Sequence, residues 1–123
     1  KGNYVQPTLF DNVDPKSLIA TEEIFGPVLG LIDAEDYDQS IKIANDTSYG
    51  LSAGIFTSNL NLAMEFANNI DAGIVKINGE TAGVEPQVPF GGMKESSSGA
   101  REQGKSAVEF FTQTKTIYVE RSA

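Results

Sequence analysis

The chain has 123 residues, 40% hydrophobic and 21% charged, the make-up of one globular domain and too short for two of ordinary size. A net charge of -8 argues against a nucleic-acid partner, because a phosphate-binding surface needs clustered Lys and Arg. No apolar run nears the roughly 18 residues of a membrane span, and no basic-then-apolar leader opens the sequence, so no membrane role is expected. Cysteine and histidine are both absent. That leaves no thiol nucleophile, no disulfide framework and neither of the commonest zinc ligands, and it is compatible with a cytoplasmic setting.

In chain order, residues 1–13 (KGNYVQPTLFDNV) read as short extended pieces interrupted by Pro7, with a turn at Asp14-Pro15. Val28 to Ile32 is a compact apolar run and reads as a strand. Asp36 to Asn45 places Tyr37, Ile41 and Ala44 at helical spacing, with acidic residues in the first turn where the helix dipole favours them. Tyr49-Gly50 punctuates, and Ser52 to Thr57 reads as a second strand. Ser58 or Asn59 can cap a second helix carrying Leu62, Phe66 and Ile70, stopped by Asp71-Ala72-Gly73. Ile74 to Ile77 is a third strand.

The middle therefore reads β-α-β-α-β, which predicts an α/β fold with a parallel sheet. Ligands of such sheets sit beyond the carboxyl ends of the strands, where Thr57 to Asn59 and Asn78 onward would emerge. Residues 79–104 form a long loop of the kind that carries function. A short helix over Glu102 to Phe111, with Ala107, Phe110 and Phe111 inward, and an alternating strand over Thr114 to Glu120 complete the reading. A strand in that place must join its own sheet or pair with another chain.

Several motifs have bland explanations. FGGMKESSSG lacks the Gly-Lys-Ser/Thr of a phosphate loop and reads as a Gly-rich turn where backbone passes close to something. No G-x-S-x-G elbow is present. The acidic runs Asp11 to Asp14 and Asp33 to Asp38 lack the Gly and bidentate Glu of a calcium loop, so no metal is expected. Asn45-Asp46-Thr47 fits a glycosylation triplet, a pattern that chance supplies often.

TEEIFGPVLGLI, residues 21–32, is less easily dismissed. Glu22 and Glu23 suit a charged turn before a strand. They also suit a binding site, because a carboxylate accepts two hydrogen bonds at once and a ribose offers two adjacent hydroxyls. Phe25 offers a flat apolar wall, and Gly26-Pro27 would fix the backbone that aims both.

EEIFGPV, YGLSAGIFTSN, INGETAGVEPQVPFGGMKESSSGAREQG and TKTIYV, in that order, resemble the C-terminal part of an NAD(P)-dependent aldehyde dehydrogenase, a likeness that covers essentially the whole chain. The resemblance implies a fragment: residues 1–111 the C-terminal part of the catalytic domain, and residues 112–123 an oligomerisation strand that makes a homo-oligomer through Thr116 to Val119. In such enzymes a cysteine forms a thiohemiacetal with the aldehyde, a nicotinamide accepts hydride, and water releases the carboxylate from a thioester.

That cysteine would lie upstream, so no catalytic residue is expected here and the fragment alone is expected to be inactive. Glu23 matches the glutamate that binds the nicotinamide ribose, and Phe25 the aromatic beside the nicotinamide. Thr81, Ala82, Gly83 and Phe90 match the wall of the aldehyde tunnel. The cofactor would be NAD or NADP.

KESSSGAREQG, residues 94–104, departs from the more usual K-x-S-G-x-G-R-E-x-G by one extra residue, with Ser97 where Gly is usual. That form is similar to the 2-oxoglutarate semialdehyde (2,5-dioxopentanoate) dehydrogenase branch, whose substrate is an anion that Lys94 or Arg101 could steer. The competing reading is a non-catalytic acidic α/β interaction module, supported only by the lack of a complete catalytic set.

Overall fold

The computed structural model describes residues 1–122. Strand β1 (Thr8–Phe10) follows Pro7, and helix α1 (Leu18–Thr21) follows a turn in which the Ser17 amide donates to the Asp14 carbonyl at 2.9 Å. Strand β2 (Val28–Gly30) returns parallel to β1 with Thr8 opposite Val28. Helix α2 (Tyr37–Asn45) is capped by Asp36, whose carboxylate accepts from the Gln39 amide at 2.8 Å. This satisfies a donor that the helix start leaves without a partner.

Strand β3 (Tyr49–Gly50) leads into β4 (Ser52–Ile55). Helix α3 (Leu60–Asn69) is capped by Asn59, which accepts from Asn61 at 3.0 Å and Leu62 at 3.3 Å. Strand β5 (Ile74–Ile77) lies parallel to β4 with Ser52 opposite Ile74. Strand β6 (Met93–Lys94) is antiparallel to β3, and helix α4 (Ser106–Phe111) ends the regular structure.

The fold is mixed α/β, as expected, but its strands form three two-stranded ladders rather than one three-stranded sheet. β2 pairs with β1, and only β4 and β5 form the parallel pair foreseen in the middle. The segment before Pro15, read only as loose extended pieces, is in fact half of a β-α-β unit closed by α1. The ladder runs past β2, because the Leu31 amide donates to Phe10 and the Val13 amide to Leu31.

The core is small. Ala63, Phe66, Ile70 and Ala72 are buried, and Tyr37, Ile41, Ala53, Ile55 and Val75 pack around them. Helices α2 and α3 therefore bury their apolar faces on the β4–β5 pair, with Phe66 contributing on the order of 2–3 kcal/mol of transfer free energy.

The flanks differ. Phe110 and Phe111 do not point inward; their rings meet edge to face at 4.7 Å, and Phe111 is 71% exposed. An isolated six-residue helix with no sheet beneath it has nowhere to bury them. Residues 112–122 form no strand, and Ile117, Tyr118 and Val119 are exposed. The accessible surface is 10069 Å², whereas a folded monomer of this mass exposes about 6,400 Å². Leu9, Leu29, Val108, Phe111 and Val119 are among the large apolar side chains left uncovered.

Candidate functional site

Glu23 leaves the C-terminal end of α1 just after Glu22, whose amide donates back to Leu18 at 2.9 Å and ends the helix. It lines a cavity of about 420 Å³ together with Tyr49, Leu51, Glu95 and Ser96. The cavity is lined by Glu23 from the β2 approach and Glu95 from the loop after β6, with the aromatic Tyr49 of β3. This is a polar rim suited to hydroxyl-bearing ligands.

Phe25 does not join that cavity. Its ring is 91% exposed and its backbone sits at φ +55°, a conformation costly for a bulky L-residue. Next to it the Val28 amide donates to Gly26 across Pro27 at 2.8 Å, closing a tight turn.

Thr81, Ala82, Gly83 and Phe90 come together. All four line a second cavity of about 340 Å³, with Leu51, Ser52, Ile74, Val84 and Gln103. Phe90 is fixed by a two-bond bridge, its amide donating to the Glu102 carbonyl at 2.7 Å and its carbonyl accepting from the Glu102 amide at 2.8 Å. Leu51 is common to both cavities. The Glu23 site and the Thr81–Phe90 site are thus neighbours across one side chain.

Their position corrects the topological expectation. Leu51, Ser52 and Ile74 sit at the amino ends of β4 and β5, not at the carboxyl ends. The carboxyl ends are sewn shut. Asn78 accepts from the Thr57 amide at 2.8 Å and donates to the Thr57 carbonyl at 2.9 Å, while its own amide donates to Ile55. With those groups satisfied, the loop from Gly79 turns back toward the start of the strands. Lys76 holds that return, donating from Nζ to the Gly83 carbonyl at 2.8 Å.

The Gly-rich turn behaves as read. A Cβ on Gly73 would fall almost on the Gly91 carbonyl oxygen, so the start of β5 and the FGG turn pack backbone on backbone. The Gly92 amide is taken by Ser97 Oγ at 2.8 Å and the Gly50 amide by Ser96 Oγ at 2.9 Å. The serines of the lengthened KESSSG stretch therefore brace the turn.

Of the two residues raised as steering cations, Lys94 is committed elsewhere, whereas Arg101 makes one long bond. Lys94 Nζ donates to the carbonyls of Asn45 at 2.7 Å and Thr47 at 3.2 Å and pairs with Asp71 at 3.6 Å. Arg101 donates to Gly99 at 3.4 Å. The Asn45 amide is likewise occupied, donating to Asn69 at 2.8 Å and accepting from Asp71 at 2.9 Å. Lys94, Asn45 and Asp71 thus fasten the ends of α2 and α3 to β6.

No group of three metal-ligating side chains occurs among the described residues, and no helix among them is long and apolar enough to cross a membrane. Sequence reasoning missed Leu51, Glu95, Ser96, Gln103 and Lys76. Leu51 and Glu95 carry no sequence signal. Ser96 matches the serine of the usual K-x-S-G, which was a signal available to be used.

The arrangement has clear relatives. The fold is shared with an NAD+-bound aldehyde dehydrogenase of Mycobacterium tuberculosis, with a TM-score of 0.89 and 40% identity, covering 97% of this chain and 24% of that one. The aldehyde dehydrogenase family model matches residues 1–117, and the chain belongs to that family.

The alpha-ketoglutaric semialdehyde dehydrogenase of Bacillus subtilis (strain 168) is 56% identical over 118 residues, which is 96% of this chain and 24% of that protein. The 2,5-dioxopentanoate dehydrogenase of Saccharolobus solfataricus is 41% identical over 119 residues, 96% of this chain and 25% of that protein. The chain spans about a quarter of the length of the relatives it matches.

Proposed function

We propose that the intact protein containing this chain oxidises 2-oxoglutarate semialdehyde (2,5-dioxopentanoate) to the dicarboxylate with NAD+ or NADP+. The observation that carries the reading is the adjacency of the two cavities across Leu51: a carboxylate-rimmed site at Glu23 beside a largely apolar one at Thr81, Ala82, Gly83 and Phe90. A dehydrogenase needs a cofactor site and an aldehyde site within transfer distance of each other, and this chain supplies a wall of each. The similarity to two semialdehyde dehydrogenases supports the substrate. The nucleophilic cysteine, which would form the thiohemiacetal and then the thioester, belongs to the part of the protein outside this chain, since the chain has none.

The residues present fit a dinucleotide. Glu23 would accept hydrogen bonds from the nicotinamide ribose, and the exposed Phe25 ring, held at a strained φ, would meet the nicotinamide side. The bound cofactor supplies the hydride acceptor. Thr81, Ala82, Gly83 and Phe90 exclude water and orient the aldehyde chain. The exposed residues Thr116 to Val119, which join no strand among the described residues, would pair with a second copy, consistent with the uncovered apolar surface.

In the intact protein, Glu23→Gln removes the charged acceptor. It should slow NADH formation in the first turnover by about 10- to 100-fold, the size of one or two hydrogen bonds to a charged group. First-turnover NADH formation at the wild-type rate would contradict the cofactor assignment.

A further inference from the structure

The second cavity presents a problem for an anionic substrate. Its lining of Leu51, Ser52, Ile74, Thr81, Ala82, Gly83, Val84, Phe90 and Gln103 contains no charged side chain. A carboxylate brought there would lose hydration without a partner, which is costly. Of the two cations raised from the sequence, Lys94 is held by Asn45, Thr47 and Asp71, and Arg101 makes one long hydrogen bond, to Gly99 at 3.4 Å.

Lys76 is differently placed. It stands half-buried on β5, opposite Gly54, and its ammonium lies 2.8 Å from the carbonyl oxygen of Gly83, a residue of the cavity wall. An ammonium has three donors, and this bond uses one. Gly83 itself sits at φ +72° with open space where a Cβ would be, so the ammonium is held beside an uncrowded stretch of the wall.

We propose that Lys76 is the specificity-determining cation of the aldehyde site: tethered to Gly83, it receives the carboxylate at the far end of an ω-oxo acid and leaves the aldehyde end directed inward. The tether matters because a free lysine stem loses conformational entropy on every binding event, whereas one already fixed by a hydrogen bond has less to lose. The inference rests on the aldehyde dehydrogenase activity proposed above and names the class of substrate the site selects.

The test compares two five-carbon aldehydes, 2,5-dioxopentanoate and pentanal, in the intact protein. Lys76→Met should raise KM for 2,5-dioxopentanoate by about fivefold, the size of one partly exposed charge pair, and leave KM for pentanal within about twofold. Lys76→Arg, which keeps the charge, should restore most of the selectivity, and added salt should erode the wild-type preference.

Equal KM changes for both aldehydes, or loss of selectivity in Lys76→Arg as well, would reduce Lys76 to a tether of the loop and overturn the proposal. No change in either KM overturns it too. A wild-type protein that oxidises neither aldehyde removes the activity reading itself, whereas an active protein with an unselective Lys76→Met response removes only the role of Lys76.

Discussion

The middle of the chain and its flanks follow different rules. From Asp36 to Ile77, two capped helices cover a parallel strand pair, and Phe66, Ile70 and Ala72 close a core within that span. Before it and after it, strands and a helix form with almost nothing beneath them: Leu9, Leu29, Val108, Phe111, Ile117, Tyr118 and Val119 are all more than half exposed. A side chain that is apolar, regularly spaced and still uncovered is waiting for a surface that lies outside its own element. The middle closes its core within itself and is tied to the later chain at β6 and the FGG turn, whereas the flanks close no core of their own.

Substitutions can sharpen that contrast. The largest effect is expected at Gly73, where Ala must displace the Gly91 backbone. Gly73→Ala should cost upward of about 3 kcal/mol in denaturant unfolding of the intact protein, because backbone has no rotamer to yield. A cost below 1 kcal/mol would show that the FGG turn moves freely.

Asn45→Ala removes two hydrogen bonds that join α2 to the end of α3, and should cost about 1–3 kcal/mol by the same measurement. If it costs as little as an exposed flank substitution such as Ile117→Ser, the fastening of the two helices is not what holds the middle together.

The smallest effect is expected at Tyr37. Its hydroxyl is shielded with no hydrogen-bond partner, and burial first, then Glu65 and Asp38, raises its pKa above the ordinary value of 10.0. The fold therefore favours the neutral phenol. That preference is harmless below pH 10 and becomes a loss of stability as pH rises through the raised value. Tyr37→Phe should leave neutral-pH stability unchanged or slightly raised, and it should flatten the alkaline decline. An unaltered decline would assign that decline to other groups.

How much was legible in the sequence follows the same division. Where periodicity and caps act over short distances, as at Asp36, Asn59, Phe66 and Ile70, the elements formed within a residue or two of expectation. Where pairing depends on distant backbone, it was not legible. Tyr49-Gly50 reads as punctuation yet pairs with Met93-Lys94, and the strand after Pro27 finds Thr8–Phe10 rather than the middle sheet.

The residues singled out from motifs do come together, though not where the topology alone would put them. Thr81, Ala82, Gly83 and Phe90 do share one cavity and Glu23 lines its neighbour, but both lie at the amino ends of the strands because Asn78 closes the other end. Phe25 remains outside both cavities, its ring exposed.

The central claim is that the two cavities divide the labour between cofactor and aldehyde. The direct measurement is the pair of Michaelis constants of the intact protein in Glu23→Gln and Phe90→Leu. Glu23→Gln should raise KM for the dinucleotide about tenfold or more with little change for the aldehyde, and Phe90→Leu should do the reverse by several-fold. Both variants moving the same constant, or each moving the other's, would contradict the division.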